Sequence, residues 1–148
     1  MQNLNFEVRE QDSYVSIAAK ANLRAATVWQ SFGYAFSGLW YVFCTQRNAK
    51  IHVVVACLVI LVGGLLRLTG LQWAILAITI GLVLAAEIFN TAIEALVDLV
   101  SPDFHPLAKI AKDASAGAVL VLVVMGVTVG LLILGPPLWL IVSGVLFG

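Results

Sequence analysis

Three long apolar runs dominate the pattern of hydrophobic and polar positions along the chain. They cover about residues 51–68, 73–100 and 112–134. Each is close to the ~20 residues that a helix needs to cross the hydrocarbon core of a bilayer. The glycine and two prolines at 135–137 are expected to break the third run. The apolar remainder, 138–148, is too short to cross again, so it either lies at the far interface or extends the last helix after the break.

A different pattern precedes the first apolar run. Between residues 27 and 50, large apolar residues recur at intervals of three or four with polar residues among them. This spacing predicts an amphipathic helix lying in the membrane interface, where aromatic rings are favoured. The apolar positions are Trp29, Phe32, Phe36, Leu39 and Phe43. Residues 1–26 are polar and mixed in charge, and they read as an N-terminal extension.

Composition agrees with a membrane protein. Of the 148 residues 61% are hydrophobic and 11% are charged, and the mean hydropathy is +1.03. Soluble domains are about half apolar and about a quarter charged, so this chain is more apolar and carries less charge. So short a soluble chain could not bury this much apolar surface. The expected fold is an all-α membrane protein with three transmembrane helices and an N-terminal amphipathic interfacial helix. The net charge is zero, and no nucleic-acid partner is expected.

Basic residues set the expected orientation. Seven of the eight lie before the first run or between the second and third runs, and only Arg67 lies between the first and second. Because loops rich in lysine and arginine stay in the cytoplasm, the N-terminus and the 101–111 loop should be cytoplasmic and the C-terminus outside. The expected location is therefore a membrane with one face towards the cytoplasm.

The second apolar run carries polar side chains at helical spacing. Glu87, Asn90, Glu94 and Asp98 are separated by steps of three, four and four. At 100° per residue they fall within an arc of roughly 80° on one helix face. We call these four residues the acidic stripe. Ionisable side chains within a span are costly and usually mark a functional site.

Three interpretations of the acidic stripe remain open from the residues alone. Polar side chains can hold membrane helices together in a structural subunit. They can also form a proton or cation pathway, but residues 73–86 of the same run offer only Thr79 as a polar side chain. The third interpretation is a site for Mg²⁺ and phosphate, since Mg²⁺ binds one or two carboxylates together with water and substrate phosphates. Lys109 and Lys112 follow, where they can neutralise phosphate charge.

Three segments carry a family resemblance. They are EIFNTAIEALVD from Glu87 to Asp98, HPLAKIAKD from His105 to Asp113, and RNAKIH from Arg47 to His52. In this order and spacing they resemble the bacterial diacylglycerol kinase and undecaprenol kinase family. The resemblance covers about residues 27–134, which would form the lipid kinase membrane domain, and leaves both ends unmatched.

The resemblance implies a homotrimeric kinase that uses ATP and Mg²⁺ to phosphorylate a membrane lipid alcohol, with active sites between subunits. Glu87 would then be the general base and Glu94 a metal ligand. Diacylglycerol and undecaprenol both stay open as substrates. The residues implied at the nucleotide site are Tyr34, Asn90, Asp98, Asp103, His105, Lys112 and Asp113.

Gln46 departs from the family pattern, which has a metal-binding glutamate at this position. Its side chain can offer a carbonyl oxygen to a metal ion but no charge. The resemblance therefore implies Gln46 as a weaker ligand beside Glu94, and a second metal ion depends on it.

Overall fold

The structure is a computed structural model that describes residues 28–147, so the expected extension at 1–26 lies outside the described residues. Four helices make up the described chain: α1 (Val28–Thr45), α2 (Arg47–Leu65), α3 (Gly70–Val100) and α4 (Pro106–Phe147). Helices α2, α3 and α4 are long and apolar enough to cross a membrane. The described residues fall into two units, 28–39 and 40–147.

In the first unit, α1 exposes its aromatic side chains. Trp29, Phe32, Tyr34 and Phe36 are all exposed, and the rings of Trp29 and Phe32 lie 6.4 Å apart between centroids. The predicted N-terminal helix is confirmed, but it ends at Thr45 rather than near residue 50. Gln46 has an extended backbone (φ −84°, ψ 121°), so the helix stops there and a new helix begins at Arg47.

Helix α2 ends in a turn that holds Arg67 in the left-handed region at φ 53°. The N–H of Leu68 donates to the carbonyl of Gly63, and the N–H of Arg67 donates to that of Gly64. These two bonds form a Schellman motif, in which the left-handed position is usually glycine. A Cβ on Gly63 would lie 3.0 Å from both the Leu68 side chain and the Trp73 ring, so a larger residue would require one of these side chains to shift.

Helix α3 begins with a capping box. The N–H of Gln72 donates to Thr69 Oγ1, and Gln72 Oε1 accepts from the N–H of Thr69. Two otherwise unpaired donors at the helix start are thereby satisfied. The 31 residues of α3 are more than a bilayer core requires, so part of the helix extends beyond the hydrocarbon region.

The expected break in the third run is wrong. Helix α4 continues through Pro136 and Pro137 to Phe147, so residues 138–147 extend the last helix. The prolines leave the carbonyls of Leu132 and Ile133 without their usual helix donors. In an apolar surrounding the neighbouring backbone groups have no water to bond, so the chain gains nothing by leaving the helix.

The second unit buries little of its apolar surface. Helices α3 and α4 pack against each other over the largest interface, and α2 packs mainly on α3. The buried apolar side chains among the described residues are Val42, Ala49, Leu76 and Val119, whereas most large apolar side chains are exposed. An outer surface of this kind suits lipid. The prediction of an all-α membrane fold with three spans is confirmed.

Candidate active site

The acidic stripe on α3 changes from buried to exposed along the helix. Glu87 is 3% and Asn90 is 7% exposed. Glu94 is half-buried, and Asp98 is exposed. Together with Thr91, Glu87 and Asn90 are the buried polar residues of the described chain. The helical spacing therefore places all four side chains on one face, with the deepest carboxylate first and the most solvated last.

Glu87 is the deepest acid. Its Oε2 atom is buried and has no hydrogen-bond partner among the described residues. His52 on α2 brings its Nε2 atom to 4.0 Å from this oxygen. The Thr91 hydroxyl, which is also buried, donates instead to the main-chain carbonyl of Glu87 at 3.0 Å. This carboxylate oxygen is thus shielded from water and has an unused capacity to accept a hydrogen bond among the described residues.

One turn further on, a hydrogen-bonded chain connects α4 to α3. The Ser115 hydroxyl lies 2.7 Å from Asn90 Oδ1, and Asn90 Nδ2 donates to Glu94 Oε1 at 3.0 Å. Only one Glu94 oxygen is used in this chain. The amide of Asn90 therefore orients the Glu94 carboxylate and leaves its other oxygen for a cation.

Two lysine–aspartate pairs lie at the exposed end. Lys112 Nζ on α4 is 2.6 Å from Asp98 Oδ1 on α3, and Lys109 pairs with Asp113 within α4. Both aspartates are exposed, so solvent screens these pairs and their contribution to stability is small. Lys112 thus lies beside the last acid of the stripe and connects it to the start of α4.

The loop between α3 and α4 is held by local hydrogen bonds. Ser101 Oγ donates to the carbonyl of Asp103 at 3.1 Å. His105 Nδ1 accepts from the N–H of Leu107 at 3.2 Å, directly before Pro106 opens α4. Because an acceptor at this place satisfies a free helix donor, His105 has a capping role that its sequence position did not suggest.

The structure does not join every implied site residue to the stripe. Gln46 is half-buried at the start of α2, and its side chain makes no capping hydrogen bond. Among residues 28–147, no group of three or more histidine, cysteine, aspartate or glutamate side chains is placed to hold a metal ion. Tyr34 is exposed in the first unit, which is described by itself. The metal ligands implied by the family resemblance are still Glu94 and the side-chain carbonyl of Gln46.

Two polar residues at this site were missed in the sequence. His52 lies beside Glu87, and Ser115 bonds Asn90. Ser115 comes three residues after Lys112, so helical spacing could have placed it on the same face. His52 stood in the RNAKIH segment without a role, and nothing in its local spacing connects it with α3.

An apolar groove adjoins the site between α2, α3 and α4. Its volume is about 340 Å³, and His52 and Thr79 are the polar residues among those that line it. His52 marks the end near Glu87. The groove thus brings an apolar space next to the buried carboxylate.

Comparison with known proteins decides the family. The sequence profile of the prokaryotic diacylglycerol kinases matches residues 33–134. The chain belongs to this family. The undecaprenol kinase of Bacillus subtilis is 44% identical over 110 residues, which cover 74% of this chain and 89% of the relative. The diacylglycerol kinase of Synechocystis is 49% identical over 109 residues, which cover 73% of this chain and 62% of the relative. That of Escherichia coli K12 is 30% identical over 95 residues, or 64% of this chain and 78% of the relative.

Membership confirms the coarse functional prediction. The chain is a lipid kinase and a multi-pass membrane protein, and as a kinase of this family it uses ATP as phosphate donor. The alternative interpretations, an ion pathway or a structural subunit, gain no support from these relatives.

Proposed function

We propose that this protein transfers the γ-phosphate of ATP to the hydroxyl of a membrane lipid at the cytoplasmic face of a bacterial inner membrane. The observation that carries the proposal is the buried, unpaired Glu87 oxygen at the head of a stripe that ends at exposed Asp98. A lipid hydroxyl lies near the membrane interface, and ATP lies in water. The buried end of the stripe at Glu87 suits the lipid, and the exposed end at Asp98 suits the nucleotide.

In the proposed reaction, Glu87 is the general base. It accepts the proton of the lipid hydroxyl while the hydroxyl oxygen bonds the γ-phosphorus, and the bond from the γ-phosphorus to the bridging oxygen breaks to release ADP. Such proton transfer by a positioned side chain contributes about 10²- to 10⁴-fold to rate. Glu87 Oε2 has no hydrogen-bond partner among the described residues, which supports this role once a substrate hydroxyl displaces the side chains that cover the oxygen.

Glu94 and Gln46 are the proposed Mg²⁺ ligands. The oriented Glu94 carboxylate fits the preference of Mg²⁺ for one or two carboxylates, with water and phosphate oxygens as the remaining ligands. When bound, Mg²⁺ would neutralise part of the phosphate charge. Gln46 would add a neutral carbonyl oxygen, which suits a single metal ion better than two.

The proposed nucleotide site surrounds the exposed end of the stripe. Lys112 supplies positive charge to phosphate, and it exchanges its bond with Asp98 for one to the nucleotide. Asn90 and Asp98 organise the site. The remaining proposed nucleotide contacts are Tyr34, Asp103, His105 and Asp113.

A homotrimer with sites between subunits completes the proposal. Three spans provide few walls for a lipid and a nucleotide, and most apolar side chains face outward, where a second subunit can pack. Gly126 lies against Thr79 and Val83 of its own chain, while a Cβ on Gly130 would meet nothing within 4 Å. Gly130 is therefore the better candidate for a close contact between subunits. Detergent-corrected light scattering that found an active monomer would contradict the trimer.

The test of the function is direct phosphorylation of defined lipids. Purified protein in mixed micelles receives ATP labelled in the γ-phosphate and either diacylglycerol or undecaprenol, and the extracted lipids are separated by thin-layer chromatography. We expect labelled lipid with at least one substrate, and the ratio of the two rates identifies the preferred class. The Thr79→Val control should keep its activity, because the Thr79 hydroxyl bonds only its own helix carbonyl. A correctly folded protein that labels neither lipid would contradict the proposal.

A further inference from the structure

The buried carboxylate of Glu87 needs a compensating group. Its side chain is 4% exposed, and its Oε2 atom has no hydrogen-bond partner among the described residues. A carboxylate taken out of water without a partner is strongly disfavoured in its ionised form. A general base must nevertheless be ionised when the hydroxyl arrives. Some nearby group must therefore favour the charged form.

Few ionisable groups of the described residues lie near this carboxylate. Glu94, two turns further along α3, carries the same charge and therefore cannot compensate it. On α4, Lys112 pairs with Asp98 and Lys109 pairs with Asp113, so these four groups are engaged with each other. Among the described residues, His52 on α2 is the side chain near enough to Glu87 to offer it an N–H donor or a positive charge. Its Nε2 atom lies 4.0 Å from Glu87 Oε2.

The geometry suits support of the carboxylate at a distance. At 4.0 Å the two atoms lie beyond a direct hydrogen bond, but they are near enough for an N–H or a positive charge to favour the carboxylate. The His52 side chain is 18% exposed, so little solvent screens the pair. The gap also leaves Oε2 free for the substrate proton, which a tight hydrogen bond would compete for.

We propose that His52 is a positioning residue for Glu87: its imidazole holds the Glu87 carboxylate in the ionised form that accepts the lipid hydroxyl proton. This inference rests on the proposed function. The hydroxyl proton moves to Glu87, the lipid oxygen bonds the γ-phosphorus, and ADP leaves with the electrons of the broken bond.

The test compares His52→Leu with His52→Gln. Leucine removes both the N–H and the possible charge, whereas glutamine keeps an amide donor at similar reach. We expect His52→Leu to lower kcat by about ten- to hundredfold with little change in the KM for ATP. His52→Gln should recover part of the lost kcat, because it restores a donor beside the carboxylate. Thr128→Val on α4 is the control, because the Thr128 hydroxyl bonds only the Val124 carbonyl.

A double variant separates this role from a structural one. If His52 acts through Glu87, adding His52→Leu to Glu87→Gln should cause no further loss of the residual rate. An additional loss, a change in the KM for ATP as large as the change in kcat, or a His52→Leu variant with wild-type kcat would overturn the inference. If His52→Leu does not fold, His52→Gln alone and combined with Glu87→Gln gives the same comparison of kcat and KM. Should the unaltered protein phosphorylate no lipid, the proposed function fails instead, so the two failures are distinguishable.

Discussion

At the scale of single residues, the depth of each acid determines what it can do. Glu87 is shielded from water and has a free oxygen, which suits proton acceptance. Glu94 is half-buried and is oriented by the Asn90 amide, which suits a cation. Asp98 is exposed and pairs with Lys112, which suits the mobile phosphates of a nucleotide. One helix face thus offers three environments in a little over three turns.

Ser115→Ala tests the hydrogen-bonded chain that orients Glu94. Loss of the hydroxyl removes a bond to Asn90 Oδ1, which contributes about 1 kcal/mol, so the Asn90 amide and the Glu94 carboxylate are held less firmly. We expect a roughly fivefold higher Mg²⁺ concentration at half-maximal rate. Ser143→Ala is the matched control on the same helix, because the Ser143 hydroxyl bonds only the Leu140 carbonyl. Equal behaviour of both variants would contradict the positioning role.

Gln46→Glu tests the departure from the family pattern. Opposite charges 4 Å apart interact by ~4 kcal/mol at an effective dielectric near 20, before desolvation is subtracted. We expect a net gain of about 1–2 kcal/mol, or about a tenfold lower Mg²⁺ concentration at half-maximal rate. A slower enzyme would mean that the added acid is unpaired beside Glu94. An unchanged rate and Mg²⁺ dependence would place Gln46 outside the metal shell.

The sequence predicted the acidic stripe because helical spacing alone fixes which side chains share one face. It did not predict His52 beside Glu87, because that contact joins two helices and depends on how they pack. The capping role of His105 was missed for a related reason, since the residue was considered as a ligand and not as a helix start.

At the scale of the helices, the ends and joints depend on local backbone chemistry. Gln46 interrupts the helical run with one extended residue, and hydropathy carries no signal for such a joint. The two prolines in α4 were expected to end it, but the surrounding residues remain helical. Hydropathy located all three spans. It could not show whether the helix continues through the two prolines, because that depends on the cost of leaving backbone carbonyls unpaired in lipid.

Arg67→Gly tests the turn that ends α2. The left-handed conformation at φ 53° costs a residue with a Cβ about 1 kcal/mol relative to glycine. We therefore expect Arg67→Gly to raise stability by about this amount, measured by thermal unfolding in detergent micelles. Arg67→Ala keeps the Cβ but removes the charge, so it should not gain stability. A gain of the same size in both variants would mean that the charge, and not the backbone, limits stability.

At the scale of the whole molecule, the distribution of basic residues predicts its orientation. Single-cysteine variants in a background without Cys44 and Cys57 test it with a membrane-impermeant thiol reagent. We expect Phe104→Cys, in the exposed loop between α3 and α4, to react from the cytoplasmic side. Gly70→Cys, at the start of α3, should react from the opposite side. Labelling of both from the same side would contradict the three-span topology.

The central claim is that Glu87 accepts the substrate proton while Glu94 serves the metal ion. Rates of lipid phosphorylation by Glu87→Gln and Glu94→Gln across a Mg²⁺ series test it most directly. Glu87→Gln should lower kcat about 10²- to 10⁴-fold with nucleotide affinity mostly intact, because the amide keeps the bulk but accepts no proton. Glu94→Gln should instead raise the Mg²⁺ requirement. If both variants behave alike, or if Glu87→Gln turns over normally, this assignment of the acidic stripe is wrong.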